Sequence, residues 1–243
     1  MSYKGIILAA GRGSRLKKKT DVLPKCLVKF KGYTLLERVI QNFIENEINE
    51  INVVAGYKQN KITLPGIKKI YNHKWNKSSI MTSLFCCNKI LKKNKCIISY
   101  SDIIYKKKII DVLKKTRGDI VLLSNNNWKK LWSQRFINPL SDLETFKIKN
   151  NRLVNIGEKP KRINDIQGQY MGVLKITPNG WNKIIKHINL YYKNKIDNLD
   201  ITKFLSTFVK NKKNKIFVKK ISTSWYEIDN QKDLMVAKKN FEK

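Results

Sequence analysis

The run Ile6-Ile7-Leu8-Ala9-Ala10, stopped by Gly11 and Gly13, constrains this chain more than any other stretch. An unbroken apolar run ended by glycine predicts a short strand buried on both faces, the habit of parallel sheets covered by helices. Gly11 and Gly13 allow φ > 0 and close approach of a ligand to bare backbone. Backbone N–H groups in such a bend form an anion-binding nest. Arg15 follows at once, and Lys25 stands after Pro24. Dipoles followed by two cations suit a triphosphate. The segment is not a P-loop, because Gly-x-x-x-x-Gly-Lys-Ser/Thr is absent, nor a dinucleotide fingerprint, because the third glycine is missing.

The rest of the chain alternates strand and helix patterns. Tyr33 to Asn46 predicts an amphipathic helix, with Leu35, Leu36, Val39, Ile40 and Phe43 at helical spacing. Ile51 to Ala55 predicts a strand closed by Gly56-Tyr57. A strand–helix–strand unit of this length implies parallel pairing and a right-handed crossover. A helix capped by Ser78 or Ser79 is expected to run to about Leu91. Strands are expected at 96–100, ending in Ser101-Asp102, and at 119–123, with a helix at 106–115 between them. Glu144 to Ile148 and Arg152 to Ile156 predict a hairpin. A strand at 169–176, helices at 178–192 and 199–209, and a strand at 216–218 follow. Trp225 to Asp229 predicts a short strand ending in a carboxylate, before a last helix at about 232–241.

This pattern predicts a single α/β domain over residues 1–243. Residues 1–124 would form the nucleotide-binding half, 125–176 an inserted lobe, and 177–243 the closing helices with the second acid.

The 51 Lys and Arg against 18 Asp and Glu give a formal charge of +33. Nearly all the excess is lysine, spread over the chain in patches such as Lys17-Lys18-Lys19 and Lys212-Lys213. No nucleic-acid module accompanies it, so nucleic acid is not the expected partner, although anionic substrates should be drawn in and held less well at high salt. No apolar run approaches about 20 residues, so no membrane span is expected. Cys26, Cys86, Cys87 and Cys96 lack metal-site spacing and are read as reduced, packed thiols. With no signal-peptide pattern at the N-terminus, a cytoplasmic protein is expected.

The glycine bend with Arg15 and Pro24-Lys25 resembles the signature of the nucleotidylyltransferases that activate sugar 1-phosphates, phosphocholine and similar phosphomonoesters. Later segments, among them Ser99 to Tyr105, Leu131 to Phe136, Asn138 to Asp142, Gly168 to Gly172 and Trp225 to Asp229, resemble the phosphocholine cytidylyltransferase group. The resemblance implies a Rossmann-like, GT-A-like, mostly parallel sheet flanked by helices, with a small inserted α+β acceptor lobe. It implies transfer of a nucleotidyl group from CTP to a small phosphorylated or phosphonate acceptor, with release of pyrophosphate.

The resemblance also implies residue roles. Asp102 and Asp229 would hold Mg²⁺. Lys25 would bridge the α-phosphate and the acceptor, Arg15 would hold the leaving phosphates, and Lys159 of Gly157-Glu158-Lys159-Pro160 would face the acceptor phosphate. Leu8, Ala9, Ala10, Gly11, Gly13, Ser14, Arg15, Gly56, Tyr57, Ser79 and Ser101 would line the nucleotide site; Ser79 stands where the group often carries Asn.

For the acceptor, a quaternary ammonium wants aromatic faces. Trp128, Trp132, Tyr170 and Trp225 are the candidates, with Asp142 or Glu144 for added negative charge; Glu227, on the same strand face as Asp229 by the two-residue period, is a further acceptor-side residue and a runner-up ligand or base. An amino-acid or aminophosphonate head group would instead want the carboxylates and Arg135. Two other readings stay open: a hexose-1-phosphate uridylyl- or thymidylyltransferase, and a basic nucleic-acid-binding protein on a degenerate transferase fold. A homodimer is compatible with the sequence.

Overall fold

A computed structural model describes residues 2–136 and 138–241. In chain order it holds β1 (Lys4–Ala9), β2 (Lys29–Phe30), β3 (Tyr33–Thr34), α1 (Leu35–Ile44), β4 (Ile51–Ala55) and β5 (Ile67–Tyr71). α2 (Ile80–Phe85) and α3 (Asn88–Leu91) lead to β6 (Cys96–Tyr100), β7 (Ile103–Tyr105), α4 (Lys108–Lys115) and β8 (Ile120–Asn125). Then come α5 (Trp128–Arg135), β9 (Phe146–Lys149), β10 (Arg152–Ile156), β11 (Tyr170–Ile176) and α6 (Pro178–Tyr191). α7 (Ile201–Lys210), β12 (Phe217–Ile221), β13 (Trp225–Glu227) and α8 (Gln231–Asn240) complete it.

Nine strands form one sheet in the order β5-β4-β1-β6-β11-β8-β12-β10-β9. β5, β4, β1 and β6 are parallel to one another, and β11 is inserted antiparallel between β6 and β8. Alternate residues of the central strands feed opposite faces, as the two-residue period requires. Ile7, Val53, Ile97 and Val121 pack with α1, α4 and α5 on one face. Ile6, Leu8, Val54, Ile98 and Leu122 pack with α2, α6 and α7 on the other. The expected strand 6–10 and the parallel unit that follows it are therefore present.

Several boundaries differ for identifiable reasons. The first helix starts at Leu35 rather than Tyr33 because Thr34 caps it. Its hydroxyl accepts from Glu37 N (3.1 Å) while the Glu37 carboxylate accepts from Thr34 N (2.6 Å), a capping box. The helix expected to reach Leu91 is two short pieces, because Cys87 leaves helical geometry at φ −93°, ψ 13°. β5 carries no apolar alternation because it is an edge strand, with Lys68 and Lys69 exposed. The segment expected as an inserted lobe contributes β9 and β10 to the far end of the main sheet and β11 to its middle.

The register places the site. Leu8 sits beside both Val54 and Tyr100, so the carboxyl ends of β4, β1 and β6 lie side by side. Ligands of open α/β sheets gather at that edge. Tyr57 N bonds Ala10 O at 3.0 Å and Ser101 N bonds Leu8 O at 3.2 Å, tying the three exits together.

Candidate functional site

Gly13 lies at φ +73°, a conformation costly to residues with a Cβ. A Cβ there would also stand 2.6 Å from the Lys25 side chain. The bend is thus folded tightly over Lys25, and Thr20 Oγ1 fixes it by donating to Gly13 O at 3.0 Å. Gly11 faces open space instead. Gly56 is pressed from both sides: a Cβ would stand 2.4 Å from Trp75 Cβ and 2.6 Å from Ala10 O.

Asp102 and Asp229 come from distant parts of the chain but meet for a simple reason. β7 and β13 pair antiparallel, Ile103 opposite Glu227, and Ile228 N donates to Asp102 O at 2.9 Å. That small ladder sets the two carboxylates on either side of Lys25. Its Nζ donates to Asp102 Oδ2 at 2.6 Å and to Asp229 Oδ1 at 2.9 Å. Arg15, largely exposed, donates to Asp229 Oδ1 at 2.8 Å. Burial works against charge on Lys25, yet Asp102 and Asp229 raise its pKa above the ordinary value. Burial likewise disfavours ionised Asp229, but Lys25, Arg15 and Arg135 hold its carboxyl below the usual range. Glu227, burdened by burial and then by Asp229 and Asp102, is pushed up to about 7.

Arg135 does not reach outward to an acceptor. It is buried beneath Asp229, with Nε 2.8 Å from Asp233 Oδ1 and Nη2 3.2 Å from Asp233 Oδ2 and 3.4 Å from Asp229 Oδ2. Asp233 in turn accepts from the backbone N–H of Asp229 (3.0 Å) and Asn230 (3.1 Å), as the third residue of the capping box of α8. Arg135 and Asp233 therefore hold Asp229 by its carboxylate and its backbone together.

The aromatic cage is also corrected. Trp128, Trp132 and Trp225 are only 3%, 1% and 2% exposed. Trp132 stacks on Trp225 with centroids 5.9 Å apart, and their indole N–H groups are taken by Asp142 Oδ2 (3.1 Å) and Met171 O (2.9 Å). Apolar burial of these large faces outweighed any role in contacting a ligand. Tyr170 lies elsewhere, edge-on to Tyr100 at 6.0 Å. Glu144 Oε1 accepts from Thr202 at 3.2 Å. Lys159 is exposed and lines neither cavity of the carboxyl edge, and Ser14 is exposed at the start of a 3-10 turn.

Two adjoining cavities open at this edge. One, about 170 Å³, is lined by Leu8, Ala10, Gly11, Lys25, Ser101 and Asp102, with Trp75 and Ser79–Ile80 opposite. Of the expected nucleotide residues, Ala9 is buried within β1, while Gly56 and Tyr57 lie behind Trp75, the Tyr57 and Trp75 rings 5.2 Å apart. Trp75 and Ser83 were missed by the sequence reading. The available signal was a tryptophan in the otherwise polar loop directly after β5. The second cavity, about 590 Å³, shares Ser78, Ser79, Ile80 and Tyr100 with the first and extends to Asp197 and Asp200.

As a divalent-cation site, Asp102 and Asp229 offer hard carboxylate oxygens, and Asp102 Oδ1 is buried without a hydrogen-bond partner. Among the described residues no group of three or more His, Cys, Asp or Glu forms a closed metal cage. Two acids and open space fit Mg²⁺, which completes its shell with water and substrate oxygens.

The family model described as the MobA-like NTP transferase domain matches residues 5–153. The CTP:phosphoglutamine cytidylyltransferase of Campylobacter jejuni is 33% identical over 247 residues, covering 95% of this chain and 97% of that protein. The choline-phosphate cytidylyltransferase of Streptococcus pneumoniae is 31% identical over 42% of this chain and 46% of its own. Among solved structures, the Streptococcus pneumoniae CTP:phosphocholine cytidylyltransferase superimposes with TM-score 0.75 at 20% identity, covering all of both chains. The inositol-1-phosphate CTP transferase of T. maritima gives 0.75 at 18%, covering 99% of this chain and 97% of that one. These structural likenesses establish the fold. The family match spans more than half of the chain, so this protein belongs to the MobA-like NTP transferases and is a nucleotidyltransferase.

Proposed function

We propose that this protein is a Mg²⁺-dependent cytidylyltransferase acting on a small phosphomonoester or phosphonate head group. An acceptor oxygen attacks the α-phosphorus of CTP, a new P–O bond forms, and the bond to the β-phosphate breaks to release pyrophosphate. The acceptors considered are phosphoglutamine, phosphocholine, phosphoethanolamine and 2-aminoethylphosphonate. The observation that carries the reading is the Lys25 ammonium seated between Asp102 and Asp229 under the glycine bend. The near full-length match to a phosphoglutamine cytidylyltransferase supports the choice of CTP and of a head-group phosphate.

Reactions of this kind concentrate negative charge as pyrophosphate leaves, so catalysis is chiefly positioning and electrostatics. In this reading Lys25 holds the α-phosphate and the incoming oxygen. Arg15, largely exposed, holds the leaving phosphates. The N–H groups of Gly11 and Gly13 receive phosphate oxygens. Asp102 and Asp229 would hold Mg²⁺, which when bound supplies charge neutralisation at the phosphate oxygens. Lys159 would approach the acceptor phosphate only after movement of its loop. Four unpaired cysteines fit a cytoplasmic setting.

The test is a matrix of CTP, UTP and dTTP against these four acceptors and glucose 1-phosphate, with Mg²⁺, read as pyrophosphate. Turnover confined to CTP with a head-group acceptor is expected. Turnover confined to UTP or dTTP with glucose 1-phosphate would replace this reading by the sugar-nucleotide one.

A further inference from the structure

Ser78, Ser79, Thr82 and Ser83 stand on the loop and helix across the cleft from the glycine bend, and their hydroxyls are not used alike. Ser79 Oγ donates to Ile196 O at 3.0 Å and Thr82 Oγ1 donates to Asp197 Oδ1 at 3.0 Å, both toward the segment that precedes α7. Ser78 and Ser83 line the nucleotide cavity and are held by one side chain behind them, Asn72, which is 2% exposed. Asn72 Nδ2 donates to Ser78 Oγ at 3.2 Å and to Ser83 Oγ at 3.0 Å.

The backbone fixes the direction of these bonds. The N–H of Lys74 can only donate, and it lies 2.9 Å from Asn72 Oδ1. That atom must be the amide oxygen, since a flipped amide would set one N–H against another. The second amide atom is then the NH₂ group, which cannot accept. Asn72 is itself anchored at the carboxyl edge of the sheet. Its N–H donates to Ala55 O at 2.8 Å and its C=O accepts from Trp75 N at 3.2 Å.

A serine hydroxyl has one proton to give and lone pairs to receive. Both serines receive from Asn72, so each keeps its own proton free. Neither proton finds an acceptor among the described residues. Lys25 and Asp102 are assigned above to the phosphates and the cation. The rest of the cleft offers Leu8, Ala10 and Trp75, apolar walls that suit the flat face of a base, with the two serines on the Trp75 side. Paired donors distinguish the pyrimidines. Cytosine presents O2 and N3 side by side, both acceptors. Uracil presents O2 but carries a proton on N3, so one donor would face another and both would go unpaired, at a cost.

We propose that Asn72 selects the base: by fixing Ser78 and Ser83 as hydrogen-bond donors, it fits the cleft to the O2–N3 edge of cytosine and turns uracil away. The proposal rests on the transfer reaction proposed above and names the residues that choose its nucleotide. Asn72 stands behind the serines and acts through them, as a positioning residue.

Asn72→Asp tests the direction of the bonds. A carboxylate keeps the shape and still accepts from Lys74 N, but it can only accept from the serines. Their protons then turn toward residue 72 and their lone pairs face the cleft. Wild type, N72D, S78A and S83A are titrated calorimetrically with CTP and with UTP in Mg²⁺, and each is assayed for pyrophosphate release with the acceptors named above. Circular dichroism checks the fold. Wild type should bind CTP about 10- to 100-fold more tightly than UTP, the worth of one or two such bonds. S78A and S83A should each narrow that ratio about 5- to 10-fold. N72D should bring it to one or below; if N72D fails to fold, the two alanine variants decide by the same ratio. A wild type indifferent to the base, a ratio that the folded variants leave intact, or an equal loss for both nucleotides, which would place the serines on the ribose, would overturn the proposal. CTP-selective binding that the variants abolish, without pyrophosphate release from any acceptor, would instead strike the reaction and leave the base selection standing.

Discussion

Asp102 and Asp229 are bonded to one and the same nitrogen, Lys25 Nζ, at 2.6 and 2.9 Å. The β7–β13 ladder, continued by the bond from Ile228 N to Asp102 O, brings the two acids to this contact. The arrangement makes Lys25 structural as well as chemical. Lys25→Met would leave two carboxylates facing each other with the charge between them gone. Breaking a buried ion pair on one side costs about 3–5 kcal/mol, and the partial exposure of Asp102 places the expected loss toward the lower end. Pyrophosphate release should fall by at least about 100-fold. Differential scanning fluorimetry with and without Mg²⁺ tests the geometry separately, because a divalent cation should restore much of the lost Tm. A K25M protein as stable as wild type would mean that the two acids are not held by this lysine.

The two glycines of the bend should respond differently to the same change. At Gly13 an added methyl meets the Lys25 side chain at 2.6 Å and forces an L-residue to φ +73°. Gly13→Ala is expected to cost about 1–2 kcal/mol from the backbone alone and to displace Lys25, lowering kcat. At Gly11 the same methyl meets nothing within 4 Å, so Gly11→Ala should leave stability within about 0.5 kcal/mol of wild type. Its effect should fall on the KM for CTP, because the methyl enters the cavity. Matching Tm losses in both variants would contradict the assignment.

What the sequence disclosed and what it hid divide along one physical line. Contacts made through the backbone were legible. The run Ile6–Ala10, the glycine bend and the helix of Leu36, Val39 and Phe43 follow from local periodicity, and all lie where their patterns require. Asp102 and Asp229 could be singled out because each ends a strand-like run. Burial on the acceptor side was not legible. Trp132, Trp225 and Arg135 have side chains equally suited to a ligand or a core, and only the long-range pairing of α5, α8 and β13 decides between them. β5 escaped notice because an edge strand with two exposed lysines has no apolar alternation.

The burial of Trp132 and Arg135 makes its own prediction. Trp132→Ala removes a ring stacked on Trp225 and should cost about 3–5 kcal/mol, as large-to-small core changes do. Arg135→Met strands Asp233 and should cost about as much. If either residue contacted the acceptor, its loss would shift the ratio of kcat/KM between phosphocholine and phosphoethanolamine. The structure requires that ratio to hold within about twofold for Trp132→Ala, because no face of the indole reaches the cavity. Chemical denaturation gives the stability, and competition between the two acceptors gives the ratio. A stable Trp132→Ala protein with altered acceptor preference would restore the cage.

Acid stability should report on Asp119, which ties the start of α6 to the start of β8. Burial opposes its ionisation. Hydrogen bonds from Lys183 Nζ (2.8 Å), Thr177 Oγ1 (2.8 Å) and Asn179 Nδ2 (2.6 Å) prevail and hold the carboxyl below its ordinary value of 3.8. The folded chain therefore binds this proton more weakly than the unfolded chain does. By linkage the stabilisation is complete above about pH 4 and fades as pH falls through the lower folded value. Asp119→Asn lacks that term at every pH. Wild type should exceed D119N in stability at pH 7, and the gap should hold down to about pH 4 and close below it. Urea titrations of both proteins between pH 2.5 and pH 7 measure the gap directly. A difference that stays constant through the acid range, or widens there, would show that the Asp119 bonds contribute through packing and not through charge.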